Sequence, residues 1–440
     1  MKEYFYKLAD LAVSKTKAGE FIYLNLSGEE SDFIRLNHAK IRQNGHVSQY
    51  YLSITLIFGG KQAHHSLSLS KNFETDSMSV SNALNSLRDI IAQVEIDPYI
   101  LYSTEVNSTE TVLKNELPES ENVVNEIIAL AKGLDLVGIF AGGNIIAGFA
   151  NSAGQKNWFE KPGFNFSWSV YHSTDKAVKS GYAGYKWDES RFNAKMEKVR
   201  TELEIMKRTP VTIKRGKYRV YLAPSALEDF FGVIGWGGFG IKSQKTKNSS
   251  LIKLVENEVT LNEAVTVTEN TIEGSSPNFN STGFIKPDVV KLIEKGKHAG
   301  SLVSPRSSKE YGEIQNGANG YEMPESLEMN GGNIVATDIL KVLDTGIYLN
   351  NVHYLNYSDR ASCKVTGMSR FAAFYVKNGE ITAPINVMRF DESVFKMLGE
   401  NFVDATSERE MLISTDTYGQ RSTESSHLPG IIVKDFSFTL

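Results

Sequence analysis

The chain has 440 residues, 41% hydrophobic and 22% charged, with a net charge of −5 at pH 7. That is too long for one ordinary domain, and the composition is that of a folded chain. Acids and bases are mixed without a basic stripe, which argues against a direct nucleic-acid partner. Cys363 is the only cysteine, so an intramolecular disulfide and a Cys-rich zinc cluster are both excluded. No run approaches the ~18 apolar residues of a membrane span. The opening segment MKEYFYKLADLAVSK lacks the apolar run of a signal peptide. A cytoplasmic protein with no membrane partner is the expectation.

In chain order, Phe5, Leu8, Leu11 and Ala12 recur at helical spacing, and Gly19 can end that segment. Residues 21–25, 33–36 and 50–58 are β-rich, and Gly59-Gly60 turns the chain into a strand over 62–70. Val80, Leu84, Leu87, Ile91 and Val94 predict a helix over 79–94. Another is predicted over 120–132, with Ser120 as N-cap and Gly133 just past its end. Residues 134–140 and 145–149 are expected to form a hairpin about Gly142-Gly143-Asn144. Phe164, Phe166, Trp168 and Val170 alternate strictly, the pattern of a strand with one buried face. Phe192, Met196, Val199, Leu203 and Met206 define a helix from about residue 188 to 208, stopped by Pro210.

Beyond Pro210, residues 242–282 and 301–333 are long and polar, which marks them as either disordered or functional. The glycine-rich run 235–240 lacks the Lys-Ser/Thr of a phosphate loop and is expected to be a turn. Residues 371–376 and 381–387 flank Asn378-Gly379, a pair suited to the positive φ angles of a two-residue hairpin turn. A last strand is predicted from 431 onward. The mixed order, with hairpins predominating, predicts an α+β fold of mainly antiparallel sheets. The expected units are 1–105, a sheet with helix; 106–210, a second α/β unit ending in the long helix; and 211–440, a β-rich domain.

The ordered series N-Y-S-D, T-G-M-S-R-F, V-K-N-G-E-I-T-A-P-I and M-R-F between Asn356 and Phe390 resembles the C-terminal signature of the TldD/PmbA family. That family contains zinc metallopeptidases and their metal-free partner subunits. FIRLNHAKIRQNG at 33–45, N-S-A-G at 151–154 and L-I-E-K-G at 292–296 resemble further family segments, so the resemblance spans nearly the whole chain. Asn280, Ser281 and Thr282 stand where a "D-x-E-G" segment usually carries acids.

Catalytic members, by this resemblance, place HExxxH on a helix that follows the first strand of the C-terminal domain. Here that helix begins Pro224-Ser225-Ala226-Leu227-Glu228-Asp229-Phe230, with no histidine. Ser225 and Glu228 fit a capping box better than a catalytic role. None of the eight histidines lies four residues from another, and His64 and His65 are adjacent in a predicted strand, on opposite faces. The family's C-terminal zinc cysteine, in a "CGKxGQ" stretch, aligns with Ser414 to Gln420, where only Gly419-Gln420 match. No zinc, no other cofactor and no catalytic residue is therefore expected.

The resemblance implies a metal-free, PmbA-like (TldE-like) subunit, non-catalytic itself, in a heterodimer with a TldD-like zinc subunit that processes peptides and small unfolded proteins. Without that partner a homodimer is expected. The older family name, modulator of DNA gyrase, finds no support in a basic patch here. Candidate peptide-binding residues are Arg360, Arg370 and Asn378, in the hairpin at 371–388 and its preceding segment, together with Gly419 and Gln420. The alternatives are a self-sufficient hydrolase using Glu228, Asp229 or Cys363, or a homo-oligomeric peptide-binding protein. A lone cysteine beside a strand is more often a small buried hydrophobe than a nucleophile.

Overall fold

The computed structural model describes residues 1–173 and 176–439. The amino-terminal half is built on one seven-stranded sheet. Helix α1 (Lys2–Ser14) leads into β1 (Glu20–Asn37), β2 (Lys40–Phe58), β3 (Lys61–Ser68) and α2 (Phe73–Ile91). Then come β4 (Glu110–Val112), α3 (Ser120–Leu130), β5 (Asp135–Asn151), β6 (Lys156–Ser173), β7 (Lys176–Gly184) and α4 (Glu189–Met206). The order across the sheet is β3-β2-β1-β5-β6, and β6 also pairs with both β7 and the short parallel β4. Segments 1–105 and 106–210 contribute strands to this same sheet.

Two helical layers cover it. Phe5 and Leu8 of α1 and Val80 and Leu84 of α2 pack on Ile22, Leu24, Leu52 and Ile54. The alternating run of β6 puts Phe164, Phe166, Trp168 and Val170 at 0–1% exposure against Phe192 and Met196 of α4. Each such aromatic contributes roughly 2–3 kcal/mol by area removed from water.

The predicted hairpin at 142–144 does not form. β5 runs unbroken through Gly142-Gly143-Asn144, paired along its whole length with β6 and over 138–151 with β1. The glycines serve close approach instead: at Gly143, φ is +144°, and a Cβ would stand 2.0 Å from the Glu30 carbonyl oxygen. Likewise 21–25 and 33–36 are parts of one long β1. Helix α3 is capped at Glu119, not at Ser120, whose hydroxyl donates to Asp32. Helix α2 starts six residues earlier than its apolar periodicity predicts, because the Asn72 side chain accepts the Thr75 N–H and sets the cap there.

The carboxyl-terminal half forms a thirteen-stranded sheet. Its first strand, β8 (Gly216–Leu222), is followed by α5 (Pro224–Gly235). One wing of the sheet is β9 (Val267–Asn270), β10 (Val289–Glu294), β11 (Lys297–His298) and β12 (Ser326–Met329), with β11 at its edge. Next are β13 (Gly346–Leu349), β14 (His353–Asp359), β15 (Lys364–Met368), β16 (Ala373–Lys377), β17 (Glu380–Pro384) and β18 (Arg389–Ser393). The last strands are β19 (Phe402–Ile413) and β20 (Ser425–Phe438). The main path is β11-β10-β9-β12-β20-β8-β13-β16-β17; β12–β20 and β8–β13 are parallel and the other ladders antiparallel. The fold is α+β with mostly antiparallel sheets, as the sequence pattern predicts.

The β16–β17 hairpin turns on Asn378 (φ +52°) and Gly379 (φ +78°), as expected. The polar segments 242–282 and 301–333 carry short helices at Ile241–Lys245, Ile252–Val255 and Pro305–Tyr311, besides β9 and β12. A shared core joins the halves: Tyr221, Tyr348 and Phe374 of the second pack with Trp187, Phe192 and Leu203 of the first.

Candidate functional site

The junction of the two halves leaves a cleft of about 220 Å³ walled by β6, the outer strand β7, α4, the start of α5, the loop after β13 and the end of β19. The start of α5 follows from local chemistry: Ala223 is extended, and Pro224 at the first helical turn needs no N–H there. Ser225 and Glu228 do not form the expected capping box. The Ser225 hydroxyl donates to the Asn350 carbonyl, and Glu228 accepts instead from Ser426 Oγ at 3.1 Å. The two side chains have better partners across the junction than along the helix.

Glu228 is largely buried, and that desolvation, with Asp229 and Glu410 nearby, pushes its carboxyl up to about 7. Asp229, exposed at the mouth of the cleft, is also pushed up, to about 6, by the protein mass packed around it, which Lys179 and the Val352 N–H offset only in part. On the facing helix, Lys198 Nζ lies 3.8 Å from Glu202, which is raised by burial and also accepts from Asn350 Nδ2 at 3.3 Å. Lys195 pairs with Glu410 of β19. Asn351 is only 5% exposed, and its Oδ1 has no hydrogen-bond partner.

These side chains do not fit zinc. No histidine or cysteine lines the cleft. Among the described residues no three His, Cys, Asp or Glu side chains converge to hold a metal ion. Cys363 lies in the carboxyl-terminal core, fully buried, and burial pushes its thiol up to about 12. It is no ligand here and, as a thiol at neutral pH, a poor nucleophile.

The strap between β19 and β20, where the family's zinc cysteine would lie, crosses to the amino-terminal sheet. Arg421, 3% exposed, anchors it: its guanidinium donates to Gly163 O at 2.7 Å and to Gly143 O and Ser31 Oγ at 3.2 Å. Beside it, Gly419 O accepts from Gln49, and Gln420 Oε1 accepts from Ser27 Oγ at 2.7 Å. The other sequence candidates lie elsewhere. Arg360 donates to Asn248 O and Trp236 O and sits over the Tyr357 ring. Arg370 contacts His353 at 3.2 Å, and Asn378 occupies the hairpin turn. None of these five residues lines the cleft. Of the three residues weighed from sequence as a hydrolase's reactive groups, the cleft gathers Glu228 and Asp229, and Cys363 lies outside it. Sequence reasoning missed Lys179, Lys195, Lys198, Glu202, Asn351 and Glu410, which come from three separate elements and a loop and share no motif.

A strand-to-helix entry facing a strap from the last hairpin, with both halves closing one cleft, defines a class of two-sheet protein with known relatives. The PmbA/TldA metallopeptidase C-terminal domain model matches residues 215–440, and the chain belongs to the TldD/PmbA family. The fold is similar to that of TldE from Thermococcus kodakarensis, with TM-score 0.80 at 13% identity over 99% of this chain and 100% of that one. It is also similar to a proposed modulator of a DNA gyrase from Thermotoga maritima, with TM-score 0.76 at 14% identity over 99% of both chains. No curated protein matches this chain significantly.

Proposed function

We propose that this chain is a metal-free, TldE-like subunit that pairs with a TldD-like zinc subunit and takes part in peptide processing without cutting peptides itself. The observation that carries the reading is the chemistry of the cleft: Glu228 and Asp229 occupy the helix where catalytic relatives would carry HExxxH, and the strap from Ser414 to Gln420 has no cysteine. A zinc enzyme needs several nitrogen, sulfur or carboxylate ligands around one point, and among the described residues the cleft's four acids, Glu202, Glu228, Asp229 and Glu410, do not converge on one. A cytoplasmic location belongs to the same proposal; among the described residues no helix is long and apolar enough to cross a membrane. In the absence of its partner it forms a homodimer. Arg360, Arg370, Asn378, Gly419 and Gln420 are kept as candidate peptide contacts on the outer surface.

The test is metal analysis of the pure protein with a peptidase assay, alone and after mixing with a TldD-like subunit from the same source. No stoichiometric zinc, no activity alone and a stable complex are expected. One tightly held zinc per chain, or peptide cleavage by the chain alone, would refute the reading. The latter outcome would favour the one rival with a structural basis, a hydrolase using Glu228, whose carboxyl near 7 suits proton transfer.

A further inference from the structure

Strand β2 is paired on only one side along its first half. β1 pairs with it from Lys40 to Phe58, but β3 pairs with it only from Tyr51 to Phe58. Beyond β3 the Leu69 N–H donates to Tyr50 O, and the chain then turns away into α2. Among the described residues nothing but β1 bonds to the main chain of 40–49. The residues from Lys40 to His46 and Ser48 are all exposed, and a Cβ at Gly45 would meet nothing within 4 Å. The stretch holds no proline. A register shift near the tip leaves Arg42 as an extra residue, and from Gln43 onward the ladder is regular. An exposed edge of this length is a template for another strand.

The charges along the edge say which strand fits. Its tip is basic: Arg35, Lys40 and Arg42 are exposed and make no ion pair among the described residues. Its other end is acidic. Ser48 and His46 lie opposite Glu30 and Asp32 of β1, whose carboxylates keep 42% and 39% of their side-chain surface exposed while holding Lys71 and His46. An edge with a basic and an acidic end is complementary to itself when run antiparallel. A parallel copy would instead set like charges side by side.

We propose that a second copy of this chain occupies this edge, the two β2 strands pairing antiparallel about a two-fold axis at Asn44 or Gly45. With the axis at Gly45, Arg42 of each copy falls opposite Ser48 of the other, one strand spacing from Glu30. The two Arg42 side chains then stand ~20 Å apart along the seam, at ~3.4 Å per residue. The amino-terminal sheets become one continuous sheet with an isologous contact. This rests on the homodimer of the reading above and names its face.

Cysteine cross-linking of the full chain tests it. Cys363 is fully buried, so an introduced surface thiol is the reactive one. A residue facing its own copy across an antiparallel pair has its Cα about 4.5–5.5 Å from its twin, which a disulfide can span. Under mild oxidation, Asn44→Cys or Gly45→Cys is expected to give a covalent dimer. Ser48→Cys, roughly 20–27 Å from its twin, is expected to give none. Lys40→Glu with Arg42→Glu, both at exposed positions, should weaken the dimer about tenfold in sedimentation. A dimer that neither axial cysteine cross-links, equal cross-linking through Ser48→Cys, or an unweakened double variant would overturn this face and leave the homodimer standing. A strict monomer would sink both. Cross-links formed only to a TldD-like subunit would overturn the self-pairing while supporting the partner reading.

Discussion

Replacing Glu228 by glutamine tests whether the cleft stores unfavourable charge. The carboxyl is raised from 4.5 to about 7 in the folded chain, chiefly by desolvation. A raised acid binds its proton more tightly folded than unfolded. Its contribution is therefore fully present below about pH 4.5, and it is lost as pH rises toward 7. Each tenfold change in proton affinity is worth about 1.4 kcal/mol, which sets a ceiling of roughly 3 kcal/mol above pH 7. Glutamine cannot ionise and still accepts from Ser426 Oγ, the bond that Glu228 makes at 3.1 Å. Solvent reaching the cleft and the coupled titration of Asp229 reduce the gain. Glu228→Gln should stabilise the protein by about 1–2 kcal/mol at pH 8 and by close to nothing at pH 4.5. Urea unfolding at both pH values, followed by tryptophan fluorescence, measures it. An equal gain at both pH values, or a loss at pH 8, would refute the reasoning, since neither follows from a desolvated carboxylate.

Other perturbations follow from the same geometry. Arg421→Met removes the donors to Gly143 O, Gly163 O and Ser31 Oγ and a positive charge near the buried Glu29, so a loss of about 2–4 kcal/mol is expected, with faster proteolysis within the strap. Adding Glu29→Gln should recover part of that loss, and strict additivity would argue against an electrostatic coupling of the two side chains. Gly143→Ala forces a Cβ to within 2.0 Å of the Glu30 carbonyl oxygen, so β1 and β5 must part; a loss of at least ~3 kcal/mol, or insoluble protein, is expected from thermal unfolding. Cys363→Ser puts a hydroxyl into a fully buried site and should cost about 1–2 kcal/mol in melting experiments. It should leave any peptide processing by an assembled complex intact, and selective loss of activity in a folded, assembled variant would revive the thiol mechanism.

Sequence by itself determined what depends on a few neighbouring residues. The alternation from Phe164 to Val170 set a strand with one buried face, because successive side chains point to opposite sides of a sheet. Asn378-Gly379 set its hairpin turn, since both residues tolerate positive φ. Pro210 lies just beyond the end of α4. The lack of HExxxH and of a strap cysteine was equally plain, because a ligand type is present or absent whatever the fold.

Tertiary structure decided the rest. Gly142-Gly143-Asn144 has the composition of a turn, yet two neighbouring strands hold it extended, and the ladder bonds on both sides outweigh a local preference worth little more than ~1 kcal/mol. Ser225 and Glu228 have capping-box spacing, but Asn350 and Ser426, more than a hundred residues away, are their partners. Arg421 looks like any surface arginine until the strap folds it against the carbonyls of β5 and β6. The cleft is a property of the junction between two sheets. Its charges come from β7, α4, α5 and β19, and only long-range strand register brings them together.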